Sequence, residues 1–174
     1  MMNDLTVALA GNPNVGKSTV FNNLTGSRQH VGNWPGKTVE KKEGVLSHNR
    51  QQFTVVDLPG TYSLSAFSLE EQITRDYLVE ERPKVVVDVV DAANIERNLY
   101  LTAQILETGI PVIMALNMQD VADSRGLKVN PQKLSKLLGG IPVIPMVASR
   151  GQGITELKQA IVALANHTQF PQEE

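Results

Sequence analysis

The chain of 174 residues contains no cysteine. This absence excludes a disulfide framework and any metal or redox chemistry that depends on thiolates, and it fits a reducing compartment. An excess of basic residues is also missing, because 16 Lys and Arg residues stand against 18 Asp and Glu residues and leave a net charge of -2. Proteins that bind nucleic acid are more often basic. The composition therefore predicts no nucleic-acid partner.

Long apolar runs are missing as well. Runs such as Ile141 to Ala148 fall far short of the roughly 18 residues that a membrane span requires. The N-terminus also lacks the basic region followed by an apolar core that marks a signal peptide. We therefore expect a soluble chain, and its length predicts one domain with helices on both faces of a sheet.

The most informative motif that is present is G-x-x-x-x-G-K-[ST] at positions 11–18. An apolar run that predicts a strand precedes it, and a segment that predicts a helix follows it, which is the context that a phosphate loop requires. Lys17 would reach the β and γ phosphates of a nucleotide, and the Ser18 hydroxyl would bind Mg²⁺. The alternative is a glycine-rich turn that matches the motif by chance.

Three further positions fit the same chemistry. Asp57 follows a predicted buried strand about 40 positions after Lys17, as does the acidic residue that holds Mg²⁺ through water in phosphate-loop hydrolases. Gly60 would let its backbone N–H approach a γ phosphate. Thr38 lies between the phosphate loop and Asp57, where a switch threonine closes over Mg²⁺. In isolation, an aspartate that caps a turn would be the simpler interpretation of Asp57.

The motif N-x-x-D at Asn117 and Asp120 predicts which base is read. A carboxylate that accepts from the ring N–H and the amino group of guanine rejects adenine, because the wrong base leaves buried polar groups unpaired. Asn117 would tie this segment to the phosphate loop. In the next loop we expect the N–H of Ala148 to meet guanine O6, and a register shifted by one position is the alternative. Since neither Val147 nor Ala148 has a hydroxyl that could brace the loop, we also expect a mobile loop, fast GDP release and loosened selectivity.

Predicted strands alternate with predicted helices, which indicates an α/β fold with a mostly parallel sheet and right-handed crossovers. The expected sheet has six strands, and the resemblance of the motifs to those of GTPases implies the three-layer, Ras-like phosphate-loop GTPase fold. Positions 38–47 are predicted to form its antiparallel edge strand, because their lysines discourage further pairing. The preceding segment, 27–37, is predicted to be a long loop that contains the single tryptophan, Trp34. Residues 1–166 would form the domain, and 167–174 a tail or linker.

Together these motifs resemble the G domain of the translation-factor-related GTPases, and more closely one family, the bacterial ferrous-iron transport protein B (FeoB). The resemblance runs from about Thr6 to about Leu164. The most specific part is the Gly-Asn-Trp-Pro-Gly stretch at 32–36, which GTPases in general lack. The segments that carry the resemblance are the phosphate loop and positions 31–44, 57–64, 90–92, 96–99 and 115–118.

The resemblance implies a GTPase, slow and stimulated by K⁺, that regulates or drives ferrous iron uptake. It implies the cytoplasmic N-terminal domain of a bacterial inner-membrane protein, followed by a helical regulatory domain and a membrane region that passes Fe²⁺. The implied partners are guanine nucleotide, those two domains, and the small iron-transport accessory protein A. The isolated domain is expected to be monomeric, with a homo-oligomer in the membrane as an open alternative.

The resemblance also implies the site residues. Thr61 stands where many regulatory GTPases have a water-orienting glutamine, and the implied substitute is a K⁺ ion beside Asn14; a turn-stabilising asparagine is the alternative. The implied catalytic residues are Asn14, Lys17, Thr38 and Gly60, and the implied Mg²⁺ ligands are Ser18, Thr38 and, through water, Asp57. The implied nucleotide contacts are Gly11, Asn12, Asn14, Val15, Gly16, Lys17, Ser18, Thr19, Gly36, Lys37, Thr38, Asp57, Gly60, Asn117, Met118, Asp120, Val147, Ala148 and Ser149.

A second class of protein remains an alternative: a GTPase of ribosome or tRNA biogenesis. Such GTPases share the phosphate loop and N-x-x-D, but they usually have Lys where this chain has Met118, and they add a basic RNA-binding domain. A phosphate-loop kinase is disfavoured because the chain lacks a lid and an acceptor-site signature. The sequence also has no His, Asp and Glu cluster with ligand spacing for Fe²⁺.

Overall fold

Apolar segments of the chain form the inner strands of one sheet in a computed structural model, which describes residues 5–167. The strands are β1 (Thr6–Gly11), β2 (Gln29–Asn33), β3 (Glu40–His48), β4 (Gln51–Asp57), β5 (Val85–Asp91), β6 (Val112–Asn117) and β7 (Val143–Pro145). The helices are α1 (Lys17–Thr25), α2 (Leu69–Glu80), α3 (Ile95–Glu107), α4 (Gln119–Ser124), α5 (Pro131–Leu137) and α6 (Ile154–His167).

The central strands are apolar on both faces because helices cover both faces. In β1, Val7 and Leu9 lie in a core cluster with residues of α1 and α6. Ala8 and Ala10 point the other way, into a cluster with residues of α2 and α3. Successive side chains of a strand point to opposite faces, so this single strand contributes to both cores.

The sheet order is β2-β3-β4-β1-β5-β6-β7. Neighbouring strands from β4 through β1, β5 and β6 to β7 are parallel, whereas β2, β3 and β4 pair antiparallel. The parallel strands end at one edge of the sheet, and the loops that follow them gather there. That edge carries the candidate site.

The sheet has seven strands where the sequence predicted six. The additional strand is β2, which lies inside the predicted loop 27–37 and forms the outer edge, so that the predicted edge strand is the second from the edge as β3. All five residues of β2 are exposed. Such a strand shows no burial pattern, and its pairing with β3 from Gln29–Gly44 to Asn33–Glu40 is what defines it.

The ends of the helices agree with local capping chemistry. The Ser68 hydroxyl accepts from the Glu71 N–H at 3.1 Å at the start of α2, and the Asn130 side chain accepts from the Lys133 N–H at 3.0 Å at the start of α5, as N-caps do. At the other end of the chain, His167 belongs to α6 rather than to the predicted tail. The rest of that tail, 168–174, lies outside the described residues.

Asp88, which is 1 % exposed, lies in the middle of β5. The Thr102 hydroxyl of α3 donates a hydrogen bond to its carboxylate. Burial raises the pKa of Asp88 from 3.8 to about 7, although the hydrogen bond from Thr102 acts in the opposite direction. Between these two pKa values the Asp88 carboxyl is therefore mostly protonated in the folded protein and mostly ionised in the unfolded chain.

We predict that Asp88→Asn stabilises the protein at high pH. Because the folded pKa lies above the unfolded one, the penalty for burying Asp88 is absent below the unfolded pKa, grows as the pH rises, and is complete above the folded pKa. The variant should gain up to roughly 4 kcal/mol of unfolding free energy near pH 8 and little near pH 4. Urea unfolding at both pH values measures this, and a difference between the proteins that is independent of pH would contradict it.

Candidate functional site

Four segments that are far apart in sequence meet at the carboxyl edge of the sheet. The phosphate loop follows β1, Asp57 ends β4, Asn117 ends β6, and a 3₁₀ turn from Ala148 to Arg150 follows β7. A cavity of about 430 Å³ lies against the phosphate loop. Its lining residues are Asn12, Pro13, Asn14, Gly16, Lys17, Ser18 and Gly60.

The shape of the phosphate loop depends on Gly16, the residue before α1. Its φ of 87° is in the left-handed region, and a Cβ there would lie 2.4 Å from Nδ2 of Asn117. Backbone conformation and close approach therefore both require glycine. The glycine places the first backbone N–H groups of α1 at the cavity, where an anion is stabilised.

Lys17 and Asp57 form an ion pair beside the cavity, with Nζ of the lysine against Oδ1 of the aspartate. Their side chains are only 12 % and 10 % exposed, so the interaction is weakly screened. The pair presents a cation suited to phosphate oxygens next to a carboxylate of the type that Mg²⁺ prefers.

Asn117 links the phosphate loop to the loop after β7. Its Nδ2 donates to the Val15 carbonyl at 2.9 Å, and its Oδ1 accepts from the Ala148 N–H at 3.0 Å. The first of these bonds is the predicted link between Asn117 and the phosphate loop. The side chain of Asn23, from α1, donates to the Ala148 carbonyl at 2.8 Å.

These bonds correct the expected register of the loop after β7. The Ala148 N–H, which we expected to meet guanine O6, is donated to Asn117 instead. Ser149 follows and is exposed, and its N–H has no hydrogen bond among the described residues. The loop also has a brace that needs no hydroxyl, because Asn23 and Asn117 hold both ends of the Ala148 backbone. Asparagine inside a helix is disfavoured, and this is the signal that could have singled out Asn23.

The remaining residues that are predicted to read the base lie at the start of α4. Met118 has a φ of 62°, in the left-handed region, and turns the chain from β6 into the helix. Asp120 follows in the first turn of α4, half-buried, and its carboxylate has no hydrogen-bond partner within residues 5–167. It is therefore free to accept from a ligand.

Two polar side chains at the cavity are buried, Thr61 beside it and Asn12 in its lining. Thr61 is 3 % exposed, and its N–H donates to the Gly11 carbonyl at 3.1 Å. Asn12 is also buried, with Nδ2 3.4 Å from the Arg97 carbonyl of α3. A buried Thr61 hydroxyl cannot orient a water at the phosphates, in agreement with the interpretation that Thr61 does not replace the missing glutamine.

The structure does not bring Gly36, Lys37 and Thr38 to the cavity. All three are exposed in the turn between β2 and β3, and none lines the phosphate cavity. Thr19 is exposed in the first turn of α1. The roles of these residues toward a nucleotide stay predictions.

Within residues 5–167, no group of three or more His, Cys, Asp or Glu side chains could hold a metal ion. None of the helices described is long and apolar enough to cross a membrane.

Comparison with known proteins identifies the family. The family model described as ferrous iron transport protein B matches residues 5–161, which is most of the chain. The chain belongs to this family. The Fe(2+) transporter FeoB of Escherichia coli K12 is 55 % identical over 164 residues, which are 92 % of this chain and 21 % of that protein. The chain thus spans about a fifth of the length of the curated relatives it matches.

Solved FeoB structures confirm the predicted fold. The FeoB G domain of Methanococcus jannaschii is 47 % identical, with a TM-score of 0.83, over 95 % of this chain and 99 % of that one. The cytosolic domain of the Thermotoga maritima FeoB iron transporter, in a GDP form, is 45 % identical, with a TM-score of 0.89, over 100 % of this chain and 66 % of that one. The mostly parallel α/β sheet with an antiparallel edge is thereby established.

We predict that Asn117→Ala lowers the unfolding free energy by roughly 1–3 kcal/mol, because the Val15 carbonyl and the Ala148 N–H are left unpaired in a buried place. Asn23→Ala is the matched control. It removes one donor from the Ala148 carbonyl, which still accepts from the Gly151 N–H at 3.0 Å. Urea unfolding should show the larger loss for the Asn117 variant, and equal losses would argue against the link.

Proposed function

We propose that the chain is a GTPase domain that converts GTP and water into GDP and phosphate. One observation carries this proposal: Asn117 hydrogen-bonds both the phosphate loop and the loop after β7. The Asp120 carboxylate follows in the first turn of α4. The phosphate loop and the Asp120 carboxylate lie at one edge of the sheet, which supports binding of the phosphates and the base of one nucleotide. The GDP form of the Thermotoga maritima relative supports the same assignment.

The phosphate loop would bind the nucleotide phosphates through its backbone N–H groups, from Gly11 to Thr19. Lys17 would exchange its ion pair with Asp57 for the β and γ phosphate oxygens. Gly60 lines the same cavity and would direct its N–H at the γ phosphate. Each of these contacts stabilises negative charge on the transferred group, which is the main contribution of the protein to phosphoryl transfer.

The donor set around the cavity fits two cations. Ser18 and Asp57 offer the hydroxyl and carboxylate oxygens that Mg²⁺ prefers, with Thr38 as the further ligand once it reaches the site. Asn14 lines the cavity and is exposed, so its side-chain oxygen is accessible to a K⁺ ion. Bound cations would supply positive charge at the phosphates, where this chain has no glutamine.

The base would lie between two loops. The Asp120 carboxylate would accept from the guanine ring N–H and amino group, beside Met118. In the corrected register the Ser149 N–H, rather than that of Ala148, would donate to guanine O6, with Val147 and Ala148 beneath the base. The further contacts at Gly36 and Lys37 belong to a conformation in which the turn between β2 and β3 has moved to the cavity.

The test of base reading is Asp120→Asn. An amide donates where the carboxylate accepted, so the variant should lose most of its GDP affinity, about a hundredfold, and gain affinity for xanthosine diphosphate. Isothermal calorimetry with both nucleotides measures the exchange. Unchanged GDP binding in the variant would refute the role of Asp120, and a parent chain that binds no GDP would refute the proposed function.

We also predict that K⁺ accelerates GTP hydrolysis and that Na⁺ does not. The smaller ion fits poorly between phosphates and a site sized for K⁺. Asn14→Ala should abolish the acceleration with little change in GDP affinity, because its backbone N–H remains. Phosphate release in the two salts at matched ionic strength measures this, and equal rates would contradict it.

For the whole protein, we propose that this domain regulates or drives ferrous iron uptake from the cytosolic side of the bacterial inner membrane. The support is family membership and the names of the relatives, an Fe(2+) transporter and the cytosolic domain of an iron transporter. The proposed partners are the helical regulatory and membrane domains of the full-length protein, together with the small iron-transport accessory protein A. The isolated domain would be monomeric.

A further inference from the structure

Trp34 is buried although it lies in an exposed turn. The five residues of β2 before it are exposed, as are the four residues 35–38 after it. Trp34 itself is 6 % exposed, and it is the only tryptophan of the chain. An aromatic ring of this size contributes substantial stability wherever it is buried, so its position fixes the position of the turn.

The ring packs against α2, the helix that follows the loop after Gly60. Trp34 and Ile73 belong to one core cluster. The Tyr77 ring meets Trp34 edge to face, with centroids 5.6 Å apart and an interplanar angle of 76°, and Lys41 Nζ lies 4.7 Å above the Trp34 ring. Burial, and then the carboxylates of Glu81 and Glu43, raise the pKa of Tyr77, so its ring stays neutral. We call Ile73, Tyr77 and Lys41 the Trp34 seat.

The seat restrains Thr38 through the backbone. The Trp34 N–H donates to the Val39 carbonyl at 2.9 Å, and the Lys37 N–H donates to the Trp34 carbonyl at 2.9 Å. Thr38 lies inside the turn that these bonds close. Because β3 is paired with β4 from Lys42–Asp57 to His48–Gln51, moving the whole hairpin would break a long ladder. Opening the turn at Trp34 is the smaller change.

Two features reduce the free-energy cost of moving the Trp34 ring out of the seat. Nε1 of Trp34 has no hydrogen-bond partner among the described residues, and an unpaired buried donor opposes burial. A cavity of about 560 Å³ lies beside the seat, between the turn and α2. The cavity leaves room beside the seat for the ring to move, and Nε1 gains a partner when it reaches water.

We propose that Trp34 is a positioning residue for Thr38. Seated on α2, it holds Thr38 outside the phosphate cavity, and it leaves the seat when Thr38 moves to Mg²⁺ and the γ phosphate. This inference rests on the proposed GTPase function and adds its regulation: the turn before β3 and the helix α2 are coupled through one side chain. Only a triphosphate recruits Thr38, so only GTP binding has to supply the free energy that moves Trp34 out of the seat. The seat therefore lowers the affinity for GTP and leaves that for GDP unchanged.

The first experiment uses the single tryptophan as its own reporter. The emission of the chain should shift to longer wavelength, and iodide quenching should increase, when Mg²⁺ and a non-hydrolysable GTP analogue with an imido group between the β and γ phosphates are added. Mg²⁺ and GDP should leave both unchanged. An identical response to the two nucleotides would overturn the inference.

The second experiment changes the seat. Trp34→Ala and Ile73→Ala should each raise the affinity for the GTP analogue by about tenfold, since less burial is lost on release, with GDP affinity within about twofold. Trp34→Phe retains an aromatic ring in the seat and should bind both nucleotides like the parent. The matched control is Val79→Ala, which truncates an exposed apolar side chain of the same helix and should change neither affinity.

Calorimetry with both nucleotides and a thermal melt of each variant distinguish the outcomes. Folded seat variants whose ratio of analogue to GDP affinity equals that of the parent would overturn the inference while leaving the GTPase assignment intact. A parent chain that binds neither nucleotide would overturn both. If Trp34→Ala fails to melt cooperatively, Ile73→Ala, which retains the reporter, decides the question.

Discussion

The site depends on one buried side chain. Asn117 ends a fully buried strand, and its two hydrogen bonds reach the Val15 carbonyl and the Ala148 N–H. A buried side-chain amide whose N–H and carbonyl oxygen both form hydrogen bonds holds its partners strongly, since losing either bond leaves a buried polar group unpaired. Gly16 can lie against this amide only because it has no Cβ. The phosphate loop, the N-x-x-D segment and the loop after β7 are thus held in one geometry.

Polar side chains around the cavity fall into two groups. Lys17 and Asp57 form an ion pair beside the cavity. Asn12, which lines the cavity, and Thr61 are buried, against α3 and the Gly11 carbonyl. Thr61, which stands where many regulatory GTPases have a glutamine, is thus a buried residue of the wall of the site.

The turn between β2 and β3 and the loop after Gly60 both contact α2. Trp34 packs on this helix, and Glu71 of the same helix accepts from Ser63 Oγ and from the Phe67 N–H. The loop after Gly60 also contacts α3. There the Arg97 guanidinium lies 4.4 Å from the Tyr62 ring centroid, and the Gln104 side chain accepts from the Leu64 N–H at 2.7 Å. The two segments therefore share α2 as a packing partner.

The sequence by itself determined the α/β fold, the phosphate loop and the N-x-x-D segment, because hydrophobic period and local motifs encode them within short windows. Only the tertiary structure decided the rest. The exposed strand β2 exists through pairing with β3, and the register after β7 is set by Asn117, a residue 31 positions away. The burial of Trp34 depends on α2, which follows β3 and β4 in the sequence. Such contacts between distant segments leave no periodic signal in a single chain, so the packing of the folded protein is what determines them.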